Sequence, residues 1–157
     1  MLNAYRIVKT RYAKDFPVGE GAFRNGGRWT SPGQRVLYAS ESLPLAVLEV
    51  LVHLGHPAVL PAYSFFTAEF SENLVEPLDP STLPENWRRF PAPAELQAIG
   101  DGWIAALRTP ILKVPSAVLQ PHSNYVLHPA HRGFSKIEIS GPHPLDVDPR
   151  IFESRTA

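Results

Sequence analysis

The stretch GGRWTSPGQRVLYASESLPLAVLEVLVH, residues 26–53, decides the fold. It opens as a glycine-rich loop and passes into a short β-prone segment, Arg35–Ala39. The clearest helix of the chain follows at once. Ser40 or Ser42 caps its start, Pro44 suits a first turn, and Leu45–Leu54 continues with good helix formers. Gly55 supplies a left-handed stop and Pro57 prevents continuation. A helix apolar on nearly every side is buried, and Glu49 is the one acid within it.

Upstream, Ala4–Val8 reads as a first strand, and residues 13–34 as a long polar, glycine-rich loop of the kind that carries function. Downstream, Ala62–Phe70 is aromatic and β-prone, with Phe65 or Phe66 facing the core by alternation. Residues 71–93 carry prolines and turn residues. Ala94–Leu107 reads as a helix open to a break at Gly100 and Gly102. Three short strand candidates come next, Ile111–Val114, Ala117–Leu119 and Tyr125–Leu127, then Lys136–Ser140 with half-buried alternation. From Gly141 the chain reads as loop with one short turn. Strands are not regularly separated by helices, so an α+β fold with a curved or split sheet is expected in place of a doubly wound parallel one. The 17 prolines favour short strands and many turns over a helical bundle.

A length of 157 residues suits one domain spanning 1–157. With 44% hydrophobic and 19% charged residues, the chain can bury a core. Fifteen basic residues balance fifteen acidic ones, which gives no electrostatic reason to expect nucleic acid as a ligand. The absence of cysteine excludes a disulfide scaffold, a cysteine nucleophile and a zinc ribbon, and fits a reducing compartment. The N-terminus lacks a signal-peptide apolar region, and the apolar run Leu43–Leu54 is too short for a bilayer. A soluble, cytoplasmic protein is expected.

Four residues stand out chemically. Glu49 is either solvated, paired with His53 one turn on, or a carboxylate held in low dielectric beside a substrate. Arg28, in GGRW, is either a surface residue of a glycine turn or a planar fork for phosphate or carboxylate, with Trp29 as a wall. Tyr38 is either a core tyrosine or a ring that stacks on a flat group. Ser116 has no nucleophile elbow around it, which argues against nucleophilic catalysis. His122, His128 and His131 match no familiar zinc spacing, and no metal is expected.

Taken together, these pieces resemble the RES-domain family, toxins of bacterial toxin–antitoxin pairs named for an Arg, a Glu and a Ser. The similarity runs from about Ala4 to about Ser140. AYRIV looks like the family's first strand, with Tyr5 and Arg6 as its usual pair. Residues 26–53 look like the central signature, with Arg28, Tyr38 and Glu49 at the family's spacing. KVPSAVLQPHSNYVLHP looks like the later signature, which puts the family serine on Ser116, with Ser123 close by, and matches an Asn at Asn124. One departure is His128, where the family commonly has Asn before Pro129.

The resemblance implies a fold like the ADP-ribosyltransferases and NAD+ as substrate, cleaved by water or phosphate or used to place ADP-ribose on a protein. It also implies an Xre-type antitoxin partner that covers the active site. Arg28, Tyr38, Glu49 and Ser116 would be catalytic, and Tyr5, Arg6, Trp29 and Asn124 would contact NAD+. A non-catalytic binding module of the same fold is the other class of reading.

Overall fold

The computed structural model describes residues 1–54 and 62–153. The strands are β1 (Leu2–Lys9), β2 (Leu37–Ser40), β3 (Tyr63–Phe70), β4 (Val75–Pro77), β5 (Ile111–Pro115), β6 (Ser123–Leu127) and β7 (Glu138–Pro144). The α-helices are α1 (Glu20–Asn25), α2 (Leu43–Leu51) and α3 (Ala94–Ala106). The strands form one sheet in the order β4-β5-β6-β2-β1-β3-β7. Among the described residues only β4 and β5 pair in parallel; the other neighbours are antiparallel.

The sheet is split in the way the sequence suggests. β1 pairs with β3 along its whole length, from Leu2↔Phe70 to Lys9↔Tyr63. It meets β2 only at Tyr5↔Ser40. Two half-sheets, β7-β3-β1 and β4-β5-β6-β2, are therefore joined through one register pair. Alternation sends side chains to two cores. Ile111, Tyr125, Leu127, Leu37, Ala39 and Phe70 pack together in one. Leu112, Val114 and Val126 pack in the other, with Trp29 and with Leu96 and Trp103 of α3.

Several expectations are corrected. The long loop is shorter than expected, because residues 10–18 form 3-10 turns and Glu20–Asn25 forms α1. Its glycines bound that helix, Gly19 before it and Gly26 after, both at positive φ, and Arg24 reaches back to Glu20 at 2.9 Å. α2 is capped by Ser42, whose hydroxyl accepts from the Leu45 N–H at 3.3 Å, with Pro44 in the first turn. It closes at Leu51, and the expected stop at Gly55 and Pro57 lies outside the described residues. α3 runs unbroken through both glycines, since Leu96, Gly100 and Trp103 make its buried stripe and packing outweighs glycine's low propensity. Ala117–Leu119 is a turn and not a strand, because the Ser116 hydroxyl captures the N–H groups of Val118 and Leu119. β7 continues past Gly141 to Pro144, where loop was expected.

Candidate active site

Glu49 lies on α2 facing the start of β6 and the turn that precedes it. The Ser116 hydroxyl donates to Glu49 Oε1 at 2.8 Å, and Asn124 Nδ2 donates to the same oxygen at 2.7 Å. Ser116 is wholly buried, and its oxygen also accepts the N–H groups of Val118 at 3.1 Å and Leu119 at 3.2 Å. A hydroxyl with one donation and two acceptances committed has nothing left for nucleophilic attack. It orients Glu49. Both donors converge on one carboxylate oxygen, so among the described residues Oε2 has no hydrogen-bond partner. Asn124 Oδ1 is likewise buried with no partner among the described residues. Ser123, the alternative serine, lies among the residues of a neighbouring groove.

Arg28 lies close enough to Glu49 to feel its charge. Its Nη1 donates to the Trp87 carbonyl at 2.8 Å and the Arg89 carbonyl at 3.1 Å. Its Nε and Nη2 have no protein acceptor among the described residues, so most of the fork remains for a ligand. Partial burial pulls the guanidinium below its ordinary pKa, and the Glu49 charge opposes this. Arg6 on β1 is exposed at its surface and still loses part of its hydration to the protein around it. Desolvation lowers its pKa, while Tyr38 and Glu49 raise it. Two cations therefore feel the one carboxylate.

Tyr38 on β2 donates to or accepts from Thr30 Oγ1 at 2.6 Å. Burial raises its phenol pKa, opposed first by the Thr30 bond and then by the Trp29 backbone, so the ring stays neutral. With the hydroxyl occupied, the ring is what Tyr38 has to offer. Gly27 packs against it so closely that a Cβ there would lie 2.6 Å from the phenolic oxygen.

Tyr5 sits at the register pair that joins the half-sheets. Trp29 is buried beneath the loop, 6.4 Å from the ring of Trp87. Thr30 and the carbonyls of residues 87 and 89 are site elements that the sequence reading missed. Arg88 adds to them, donating from Nε and Nη2 to the Ala117 carbonyl at 3.1 and 3.0 Å. Segment 87–89 therefore links Arg28 to the turn that holds Ser116. A groove of about 530 Å³, lined in part by Trp87, Lys113, Gln120 and Ser123, lies next to that turn.

The chain matches the family model described as RES domain over residues 3–148. This chain belongs to the RES domain family. It is 36% identical over 149 residues to "Toxin Res" of Yersinia enterocolitica, covering 94% of this chain and 97% of that one. It is 31% identical over 144 residues to "Prs ADP-ribosylating toxin" of a Sphingobium species, covering 90% and 89%. Among solved structures, a chain of the Mycobacterium tuberculosis MbcT–MbcA toxin–antitoxin complex superposes with a TM-score of 0.76 at 20% identity, over 96% of this chain and 86% of that one. That likeness is one of fold, and it agrees with the ADP-ribosyltransferase-like, split-sheet architecture.

Within this RES domain the departure at His128 falls away from Glu49. It follows the far end of β6, about 13 Å along the strand from Asn124 at the usual rise. His128 packs edge-on to Trp103, with ring centroids 5.8 Å apart, and lies beside His131. Burial, then the proximity of His131, lowers its pKa, so it is neutral at neutral pH. His131 Nδ1 accepts from the Gly133 N–H at 2.9 Å, and its Nε2 bonds the Leu107 carbonyl at 3.0 Å, closing the end of α3. His122 is elsewhere, paired with Glu41 at 2.5 Å. Among the described residues no helix is long and apolar enough to cross a membrane.

Proposed function

We propose that this chain is the toxin of a toxin–antitoxin pair and that it consumes NAD+ in a cleft beside Glu49 and Arg28, where its half-sheets part, breaking the nicotinamide–ribose bond. The observation that carries this reading is the state of Glu49, with one carboxylate oxygen fixed by Ser116 and Asn124 and the other without a partner among the described residues. A carboxylate held in this way is suited to stabilise positive charge that develops beside it.

In this mechanism the dinucleotide's phosphates lie against the open N–H groups of Arg28, with Arg6 as a second cation. The Tyr38 ring packs against the nicotinamide side. The bond from ribose C1′ to the nicotinamide nitrogen breaks, and its electron pair neutralises the pyridinium, so the leaving group needs no proton. Ribose passes through an oxocarbenium-like state, as in glycoside hydrolysis, facing the open oxygen of Glu49. Water or phosphate then bonds to C1′, and the proton lost from water passes to solvent. Ser116 and Asn124 touch neither reacting atom; they keep Glu49 aimed. Asn124 Oδ1 offers an acceptor to a ligand N–H or hydroxyl.

The name of the Sphingobium relative supports a second acceptor, a protein side chain that takes the ADP-ribose. The two readings share the bond that breaks and differ only in what attacks. The solved toxin–antitoxin neighbour supports a protein partner for this chain, here taken as an Xre-type antitoxin that closes the cleft in the cytoplasm.

The test is incubation of the purified chain with NAD+, with and without phosphate and cell extract, followed by mass spectrometry. Free ADP-ribose or its 1-phosphate establishes degradation, and ADP-ribose on a protein establishes transfer. NAD+ left intact by a folded, partner-free sample refutes both and leaves a binding module.

A further inference from the structure

One face of α3 meets the loop that carries Arg28. Gln97 Nε2 donates to the Gly27 carbonyl at 3.1 Å. One turn on, Gly100 lies against the Trp29 carbonyl, where an added Cβ would come within 1.6 Å of that oxygen. Next to it, the Asp101 carboxylate takes two bonds from one residue. The Ser31 N–H reaches Oδ1 at 3.0 Å, and the Ser31 hydroxyl reaches Oδ2 at 2.6 Å. The spacing i, i+3, i+4 puts all three on one helical face. They grip the loop just before Arg28, just after it and three residues after it. The loop adds one bond of its own, Gly27 N–H to the Thr30 carbonyl at 2.9 Å.

The grip extends to Tyr38. Gly27 and Thr30, the two loop residues against its phenol, lie between or at the points that α3 holds. A shift of the loop would therefore move the Arg28 fork and the Tyr38 ring together. Carboxylate bonds to backbone N–H and to hydroxyl are charge-assisted, the strong kind, and Asp101 makes both.

We infer that α3 is the positioning element of the ligand-clamping loop, with Asp101 its principal positioning residue and Gly100 the contact that sets its distance. The inference rests on the NAD+ reading above. Asp101 touches no reacting group; it acts through Ser31 on where Arg28 points. Losing it weakens ground-state and transition-state binding alike, which raises KM and spares kcat.

The experiment compares the full chain with Asp101→Ala, Asp101→Asn and Ser31→Ala by steady-state NAD+ consumption, thermal melting and amide hydrogen exchange at Ser31. Asp101→Ala should raise KM about tenfold with kcat within about twofold, the scale of one lost charge-assisted bond. Asp101→Asn keeps one acceptor and should restore most of the KM. Ser31 exchange should accelerate in the alanine variant and recover in the asparagine one. Should Asp101→Ala not fold, Asp101→Asn and Ser31→Ala carry the same test, each with a KM about threefold raised. A wild-type KM with unchanged Ser31 exchange, or a fall in kcat that only tracks melting temperature, overturns the inference. If the wild-type chain consumes no NAD+, the functional reading has failed, and Ser31 exchange alone decides the clamp.

Discussion

Glu49 and Arg28 lie within electrostatic reach of one another and are held there by different means. Glu49 is gripped by side chains: a serine hydroxyl locked by two amides and an asparagine on β6, both on the same oxygen. Arg28 is gripped by main chain, the carbonyls of Trp87 and Arg89 in an irregular, proline-flanked segment. At the acidic corner, position depends on the identity of the residues doing the holding. At the basic corner it depends on the path of the backbone, and the side chains along that path matter only where they fix it. The two corners should therefore answer to mutation differently.

The largest effect belongs to Glu49→Gln. The amide oxygen can still accept from Ser116 and Asn124, so shape and hydrogen bonds survive while the charge is lost. Turnover should fall at least about a hundredfold, the usual cost of removing a group aimed at developing charge, with the melting temperature unchanged. NAD+ consumption kept in that variant removes Glu49 from the chemistry. Arg28→Lys comes next. Lysine keeps the charge and cannot span both carbonyls and a phosphate with one planar fork. A loss of about thirtyfold in kcat/KM is expected, chiefly in KM, equal to the loss of one to two charge-assisted bonds. A kcat-only effect would move Arg28 from binding to chemistry.

Ser116→Ala tests how the acid is held. Glu49 loses one of its two anchors, and the N–H groups of Val118 and Leu119 lose their buried acceptor. About a tenfold loss in kcat is expected, with a destabilisation of about 1–3 kcal/mol from the unpaired amides, read by denaturant unfolding. If kcat holds while stability falls, Asn124 alone orients the carboxylate and the serine serves only its turn.

The same contrast explains what the sequence disclosed. Ser116 and Asn124 meet Glu49 through side chains, and it was the resemblance to the family's motifs, more than residue type alone, that singled the three out. The Ser42 cap and Pro44 of α2 were legible from their residue types. The supports of Arg28 were not, because any residue has a carbonyl, and nothing in the letters of Trp87 or Arg89 says where theirs point. Three-residue β4 escaped because VEP carries no period and pairs only along the edge of β5. α1 was hidden by the glycines that bound it, which read as loop composition. Gly100 and Gly102 suggested a break in α3, although one of them is buried in its packing stripe. His128 looked like a change in the site because a motif in sequence is linear, while β6 carries its two ends to different places.

The smallest expected effect is the sharpest test of the comparison. Arg89 is exposed, and only its carbonyl meets Arg28. Arg89→Ala leaves that carbonyl in place, so kcat and KM should stay within about twofold of wild type, as for exposed positions generally. Arg89→Pro supplies the counterpart. It also keeps the carbonyl, but it fixes φ and removes the N–H that bonds the Asn86 carbonyl at 2.9 Å, so the path bends. KM should rise in the proline variant and not in the alanine one. Equal losses in both would show that the arginine side chain itself meets the ligand, and the basic corner would then be held as the acidic one is, by the identity of its residues.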